Sequence, residues 1–156
     1  MLLYVVMLLV VAADQLSKIW IRAQLPLGDT MDVWPGILHF TNFVNTGAAG
    51  SSFEGYGRLF IPVAVAVVIW AIYAQRKGRL AGGWLLAGAG FFAGGAVGNA
   101  IDRLLFNGVT DFISWSAGGG IMNFADIAIN IGVLLGIVGL LTGRRRSARA
   151  ARLYES

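Results

Sequence analysis

The chain has 156 residues, of which 57% are hydrophobic and only 13% charged, about half of the roughly one-quarter charged usage of soluble domains; this composition indicates an integral membrane protein of one domain. It has no cysteine and one histidine, His39, which excludes disulfides, thiolate metal sites and a histidine-rich metal site. The net charge of +4 does not indicate nucleic-acid binding, because eight of the twelve basic residues fall in two short segments, 76–79 and 144–152.

The first apolar segment, approximately residues 2–23, is predicted to cross the bilayer, which takes about 20 residues as a helix. It is interrupted by Asp14 and Lys18, whose i, i+4 spacing places them on one helical face where they can pair. Residues 25–57 are too polar and too rich in glycine and proline to span, and are predicted to form an extramembrane loop. Within that loop, residues 37–44 have the β-branched and aromatic content of a short strand.

Three further spans are predicted at approximately residues 59–74, 80–105 and 124–141. In the third span, glycines recur every four residues and form a ridge that lets another helix approach closely. These glycines are Gly90, Gly94 and Gly98. Residues 109–113 are predicted to be extended or to form a short surface segment. The arginine-rich segment 143–156 is predicted to be a solvated cytoplasmic tail beside anionic lipid. The predicted fold class is therefore an all-α membrane protein with four transmembrane helices, in one integral membrane domain over residues 1–156.

The basic segments after the second and fourth spans are expected to face the cytoplasm by the positive-inside rule. Both termini are then cytoplasmic, and the loop at 25–57 lies on the outer side. With this orientation, the unusual polar residues of the chain converge on the outer leaflet. They are Asp14, Lys18, Asn99, Asp102, Arg103, Asp111 and Asp126. Because ionisable groups in or beside a membrane are costly, we interpret this convergence as one functional site at the outer membrane surface.

Two of these carboxylates, Asp111 and Asp126, have no cation next to them in the sequence, whereas Asp102 is followed by Arg103 and is interpreted as ion-paired at a helix end. Two uncompensated carboxylates brought together at a partly dry surface cannot both ionise easily, so one keeps a proton. An aspartic protease uses this arrangement: one carboxylate activates water while the other polarises the carbonyl. Proton-coupled transporters also place carboxylates in membranes. From the residues alone both classes stay open, and so does Asp102 as a catalytic partner.

Five motifs occur in order along the chain: Asp14-Gln-Leu-Ser-Lys18, Asn45-Thr-Gly-Ala-Ala49, Gly98-Asn99-Ala-Ile-Asp102-Arg103, Val109-Thr-Asp111-Phe-Ile113 and Asn123-Phe-Ala125-Asp126. Together they resemble the lipoprotein signal peptidase (signal peptidase II) family. The resemblance implies an aspartyl endopeptidase of the bacterial inner membrane, with a small extracytoplasmic β-cradle beside its four transmembrane helices. Such an enzyme removes the signal peptide from a prolipoprotein, cutting just before a cysteine that carries a diacylglyceryl group.

The resemblance also implies a role for each matching residue. Asp111 and Asp126 match the catalytic pair. The matching substrate-binding or supporting positions are Asp14, Lys18, Asn45, Gly47, Asn99, Asp102, Arg103, Asn123 and Ala125. The implied partners are lipid-modified prolipoprotein signal peptides and membrane phospholipid, and the family inhibitor globomycin is expected to bind the dyad. No metal, other cofactor or nucleic acid is implied.

Three features depart from the family's usual pattern. Residues 50–53 read Gly-Ser-Ser-Phe, where Phe and Gly usually follow the Asn45 motif. Thr110 stands where a second valine is usual. The segment 114–120 is short and rich in glycine, which predicts a smaller outer lid. These departures bear on substrate preference and lid behaviour more than on the chemistry.

The main alternative function is a small ion-coupled membrane transporter, in which Asp14, Lys18 and Asp102 would form a relay. A transporter needs a polar path across the whole bilayer, yet the inner halves of the four predicted spans contain no Asp, Glu, Lys or Arg. A purely structural membrane partner leaves Asp111 and Asp126 without a purpose. An intramembrane aspartyl protease of the presenilin type is disfavoured because the chain has no Gly-x-Gly-Asp motif.

Overall fold

The structure, a computed structural model, describes residues 1–47, 54–116, 118 and 120–154, with side chains described as far as residue 143. Its long helices are α1 (Leu2–Gln24), α2 (Phe60–Arg76), α3 (Gly83–Phe106) and α4 (Phe124–Tyr154), and its strands are β1 (Thr30–Trp34), β2 (Leu38–Asn45) and β3 (Val109–Trp115). Four stretches are long and apolar enough to cross a membrane, namely Leu2–Gln24, Gly57–Arg76, Gly83–Phe106 and Phe124–Gly143. The predicted fold class, four membrane-crossing helices with a small sheet, is confirmed.

The helix boundaries differ from the prediction in three places. A short 3-10 turn precedes α2, so that the second apolar stretch begins at Gly57 and is longer than predicted. Helix α3 begins at Gly83 rather than near residue 80, because Gly82 has a φ of +93°, a backbone conformation that glycine adopts easily and that a helix cannot contain. Helix α4 runs on to Tyr154 through the arginine-rich segment, since arginine is a good helix former.

Helix α3 is the centre of the bundle and packs against α1, α2 and α4. The predicted glycine ridge lies in these contacts: a Cβ at Gly90 would lie 2.8 Å from the carbonyl oxygen of Leu3, and one at Gly94 would lie 2.8 Å from the Cβ of Val10. Gly88 makes the equivalent contact with α4. The absence of side chains at these positions therefore lets α3 approach two helices closely at once.

The three strands form one antiparallel sheet in the order β1-β2-β3. The predicted strand at 37–44 is β2, and the predicted extended segment at 109–113 is the first part of β3. Strand β1, which is short and largely exposed, was not predicted. In the β2–β3 pairing Phe43 lies opposite Asp111 and Asn45 opposite Val109. This register brings the end of β2 beside the start of β3, where two of the candidate site residues stand.

His39 ties the three strands together on one face of this sheet. Its Nδ1 lies 2.6 Å from Asp32 Oδ1 on β1, and its Nε2 lies 2.6 Å from Ser116 Oγ after β3. Asp32 is directly opposite His39 in the strand pairing, so the contacts follow the cross-strand geometry of the sheet. We therefore assign this exposed cluster a structural role in the sheet.

Two glycines one helical turn apart on α4 provide a matched test of the close packing against α3. A Cβ at Gly132 would lie 2.6 Å from the backbone nitrogen of Phe92, whereas a Cβ at Gly136 has no atom within 4 Å. Gly132→Ala is expected to destabilise the protein by about 1–3 kcal/mol through overpacking, and Gly136→Ala is expected not to destabilise it. Thermal unfolding in detergent measures both, and equal melting temperatures would contradict this packing.

Candidate active site

A cavity of about 450 Å³ opens where the sheet meets α3 and the start of α4. Its lining residues are Asn45 from β2, Asn99 and Arg103 from α3, Val109 and Asp111 from β3, residues 120–123, and Asp126, Ile129 and Asn130 from α4. The structure therefore brings together both members of the expected carboxylate pair with three of the expected asparagines and the expected arginine. Every one of these residues comes from a strand end, a helix or the segment that leads into α4.

Asp111 is almost completely buried, with 2% of its surface exposed, and accepts two amide hydrogen bonds. Asn123 Nδ2 donates to its Oδ1 at 2.6 Å, and Asn45 Nδ2 donates to its Oδ2 at 3.0 Å. Burial raises the pKa of Asp111 from its ordinary value of 3.8 to about 6, the two amides oppose that rise, and the neighbouring negative charge of Asp126 adds to it. This carboxyl therefore holds a proton far more readily than an exposed aspartate.

Asp126 stands in the first turn of α4 and takes part in a capping box. The Asn123 side chain accepts the Asp126 N–H at 3.0 Å, and Asp126 Oδ2 accepts the Asn123 N–H at 3.3 Å. Its other oxygen, Oδ1, accepts a hydrogen bond from Asn99 Nδ2 at 2.8 Å. Asn123 thus caps α4, orients Asp126 and donates to Asp111.

Behind the cavity lies a fully buried ion cluster between α1 and α3. Lys18 Nζ lies 2.9 Å from Asp14 Oδ2 and 3.5 Å from Asp102 Oδ2, and all three side chains have 0% exposure. The predicted Asp14–Lys18 pairing is present. Lys18 also donates to Asn99 Oδ1 at 3.0 Å, which connects the cluster to the cavity wall.

Asp102 is ion-paired, but the expected partner Arg103 was wrong. Asp102 faces Lys18 and lies 3.7 Å from Arg22 Nη1, whereas Arg103 donates to the carbonyl of Gly47 at 2.9 Å and stacks its guanidinium over the Phe60 ring at 5.2 Å. Adjacent residues on a helix do not face each other, so the two side chains leave α3 in different directions.

Asp102 also holds the start of β3 in place. Its Oδ2 accepts the backbone N–H of Thr110 at 2.9 Å, directly before Asp111. The Thr110 hydroxyl, one of the departures from the family pattern, accepts a hydrogen bond from Arg22 Nη1 at 2.8 Å. Arg22 and Gln15 were not among the predicted site residues. The Gln15 amide donates to Asp102 Oδ1 at 3.2 Å, and its position next to Asp14 was the available signal in the sequence.

The remaining expected residues are in supporting places. Ala125 contributes its backbone N–H, which donates to Asp14 Oδ1 at 2.9 Å, and the Gly47 N–H donates to Asn45 Oδ1 at 2.9 Å. Residues 48–53, which include Ala48, Ala49 and the departing Gly-Ser-Ser-Phe, lie outside the described residues, as do 117 and 119 of the glycine-rich segment. Asp102 lies outside the cavity lining, so the structure does not bring it together with Asp126 as a catalytic partner.

The fold and this site define a multi-pass membrane protein that presents two hydrogen-bonded carboxylates to one open cavity. A family model described as Signal peptidase (SPase) II matches residues 6–142 of the chain. The chain belongs to the signal peptidase II family, whose members are aspartic-type peptidases.

Relatives named lipoprotein signal peptidase cover most of the chain. The protein of Gloeobacter violaceus is 37% identical over 93% of this chain and 84% of its own length, and that of Lactococcus lactis is 34% identical over 90% and 93%. The protein of Synechocystis is 41% identical over 77% of this chain and 75% of its own. A bacterial membrane enzyme solved by the in meso method at 2.3 Å resolution superimposes with a TM-score of 0.82 at 31% identity, covering 88% of this chain and 86% of that one.

The raised pKa of Asp111 predicts a specific dependence of stability on pH. Between about pH 4 and pH 6 the folded protein keeps a proton that the unfolded chain releases, so this group lowers the stability as the pH rises through that window. The difference between 3.8 and about 6 corresponds to about 3 kcal/mol. Asp111→Asn removes the titration, so its melting temperature relative to the wild type is expected to rise between pH 4 and pH 7. Parallel curves for the two proteins would refute the pKa assignment.

The Arg22–Thr110 contact predicts a small effect on stability. Thr110→Val keeps the backbone hydrogen bond to Asp102 but removes the hydroxyl acceptor of Arg22, and is expected to cost about 1 kcal/mol. Thr110→Ser keeps the hydroxyl and serves as the matched control. Melting temperatures of the two variants compare them directly; a valine variant as stable as the serine variant would show that the Arg22 contact contributes nothing.

Proposed function

We propose that this chain removes the signal peptide from prolipoproteins whose cysteine carries a diacylglyceryl group, with Asp111 and Asp126 as its catalytic pair. Membership of the signal peptidase II family supports the activity. The observation that supports the assignment of the pair is geometric: both carboxylates line one open cavity, and each is held by amide donors on separate elements. Positioned groups of this kind act without reorganising at the moment of reaction.

The proposed reaction uses one ionised and one protonated carboxyl. The ionised carboxylate takes a proton from a water molecule as the water oxygen bonds to the scissile carbonyl carbon, and the protonated carboxyl gives its proton to the carbonyl oxygen. The resulting tetrahedral diol returns a proton to the carboxylate that donated one. The C–N bond then breaks as the amide nitrogen takes the proton that came from water. The products are a carboxylic acid and an amine, and the pair regains one shared proton.

Substrate positioning follows from the wall of the cavity. The Asn45, Asn99 and Asn123 amides already donate to the two aspartates, so they hold the reacting groups still while the extended peptide is bound by backbone contacts. Arg103 borders the cavity and is held by the Gly47 carbonyl and the Phe60 ring. Among the described residues, it forms no ion pair within 4.0 Å with Asp111 or Asp126.

The diacylglyceryl chains have an apolar path into the site. A second cavity of about 240 Å³ lies between α2, α3 and α4, lined mainly by apolar residues, and shares Asn99, Arg103 and Ile129 with the first. We propose that the lipid chains reach the dyad laterally through this space. Burial of acyl chains at about 0.8 kcal/mol per CH₂ supplies much of the recognition energy, which explains how a site without an elaborate peptide pocket can be specific.

The proposal includes the placement in the cell. The basic segments 76–79 and 144–152 favour the cytoplasm, which puts both termini inside and the dyad at the outer face of the bacterial inner membrane, in contact with phospholipid. Globomycin, the family's inhibitor, is proposed to compete for the same cavity. The transporter alternative has no support in the comparisons, whose relatives are named as lipoprotein signal peptidases.

The test is cleavage of a diacylglyceryl-modified prolipoprotein by the purified protein in lipid or detergent. The wild type is expected to cut the lipidated form only, and its activity is expected to be unchanged by a chelator. Asp111→Asn and Asp126→Asn are each expected to lose at least about 10³-fold in kcat, because a dyad acts as a unit. Asp102→Asn is expected to keep measurable activity, since Asp102 positions β3 through the Thr110 N–H and does not act on the attacking water.

Two outcomes would change the assignment. A folded Asp102→Asn protein that is as inactive as Asp111→Asn would make Asp102 a catalytic partner. A wild-type protein that never cuts the lipidated substrate would remove the proposed activity. Thermal unfolding of each variant separates lost chemistry from lost structure.

A further inference from the structure

Lys18 is the one group of the buried ion cluster that is linked to the dyad through a single intervening side chain in the part of the chain that the structure describes. It donates to Asn99 Oδ1 at 3.0 Å, and Asn99 Nδ2 donates to Asp126 Oδ1 at 2.8 Å. An ammonium group can only donate hydrogen bonds. The oxygen of the Asn99 amide must therefore face Lys18, and its NH₂ group must face Asp126.

This fixed amide acts differently on the two protonation states of Asp126. An N–H donor aimed at a carboxylate stabilises the ionised form. Because the Asn99 amide cannot rotate, it offers no acceptor to a proton on Asp126 Oδ1. Without Lys18, the Asn99 amide would be free to rotate and to present its oxygen instead. The lysine thus determines which face of the amide Asp126 meets.

The surroundings of the two aspartates differ in the same sense. Asp126 lies in the first turn of α4, where the helix dipole favours negative charge. Asp111 is on β3, is 2% exposed, and accepts hydrogen bonds from the side-chain amides of Asn45 and Asn123. Burial therefore disfavours the ionised form of Asp111, whereas the helix dipole of α4 favours the ionised form of Asp126.

We propose that Lys18 is a positioning residue that acts through the Asn99 amide to keep Asp126 as the ionised member of the dyad, which leaves Asp111 to carry the proton. The inference rests on the proposed function for its catalytic meaning: Asp126 is then the base that takes the proton from water, and Asp111 the acid that protonates the carbonyl oxygen. Its electrostatic content can be measured without any cleavage.

The charged groups around this link come from two helices. On α1, Asp14 pairs with Lys18, and Arg22 lies beyond Asp102; on α3, Asp102 faces Lys18 and Arg103 borders the cavity. Removal of Lys18 alone would leave Asp14 as a buried unpaired charge, which is strongly destabilising. The main comparison therefore uses Asp14→Asn as the reference, because the asparagine can keep the oxygen that accepts the Ala125 N–H.

The experiment compares Asp14→Asn/Lys18→Met with Asp14→Asn/Lys18→Gln, each against Asp14→Asn alone. Methionine has a similar length and no donor, whereas glutamine can still donate to Asn99. At the optimum pH of the reference, the methionine variant is expected to lose about tenfold in kcat with little change in KM. The acidic limb of its kcat profile is expected to move up by about one pH unit, as for a carboxylate that loses a fixed donor. The glutamine variant is expected to stay close to the reference.

Carbon-13 NMR titration of aspartate-labelled protein gives the same comparison without cleavage, with Asp111→Asn and Asp126→Asn spectra assigning the signals. In the methionine variant, the midpoint of the first carboxyl titration is expected at a higher pH than in the Asp14→Asn reference. This difference is expected to disappear when Asn99→Leu is added to both of these proteins, since the lysine acts through that amide. If Asp14→Asn does not fold, Lys18→Met and Lys18→Gln are compared in the native background.

Each outcome separates the two ideas. If the carboxyl titration shifts but the wild type does not cleave the substrate, the action of Lys18 on Asp126 through Asn99 is supported and the proposed function is overturned. Normal cleavage with identical profiles for the methionine and glutamine variants would overturn the link, and so would a shift that persists in full in the Asn99→Leu background. Melting temperatures of all variants show that the compared proteins are folded.

Discussion

A lysine that is completely buried needs negative partners, because an unpaired ammonium in a dry interior is too costly to keep. Lys18 finds one partner on its own helix, Asp14, and one on α3, Asp102, and this requirement fixes how α1 lies against α3. Each of these carboxylates has oxygens left to accept other hydrogen bonds. Asp14 accepts the Ala125 N–H at the start of α4, and Asp102 accepts the Thr110 N–H at the start of β3. The two elements that carry the dyad are therefore both anchored to the partners of one lysine.

The glycine ridge makes this arrangement possible. Gly90 and Gly94 admit apolar groups of α1, but Gly98 has a different neighbour: a Cβ there would lie 2.5 Å from Asp14 Oδ2 and 3.0 Å from its Cγ. A side chain at this position would push the carboxylate away from Lys18 and from the start of α4. The glycine ridge thus has two roles. Gly90 and Gly94 allow the helices to pack closely, and Gly98, close to the cavity, leaves room for the buried Asp14 carboxylate.

The sequence predicted the four spans well, because a run of about 20 apolar residues has few other solutions. It predicted β2 from its β-branched and aromatic content, and 109–113 only as an extended or surface segment. The polar residues at the centre of the cavity lie within the five motifs, whereas Ile129 and Asn130 of its lining do not. Composition and spacing alone left the catalytic partner open. The pairing of Asp102 with Arg103 failed because adjacency in sequence was read as contact, although neighbours on a helix diverge. The Arg22–Thr110 contact joins residues 88 positions apart, and nothing local in the sequence encodes it.

The proposed catalytic pair is asymmetric before any substrate arrives, because Asp111 lies on a strand and Asp126 on a helix. Asp111 is enclosed on a strand, where burial raises its pKa to about 6, while Asp126 belongs to the capping box of α4 and lies at the positive end of that helix. A peptide and its lipid chains entering the cavity would exclude water from both carboxyls. That exclusion strengthens the remaining interactions, fixed dipoles included. Because burial already raises the pKa of Asp111, further exclusion of water would make this carboxyl hold its proton more firmly, as the proposed mechanism requires of its acid.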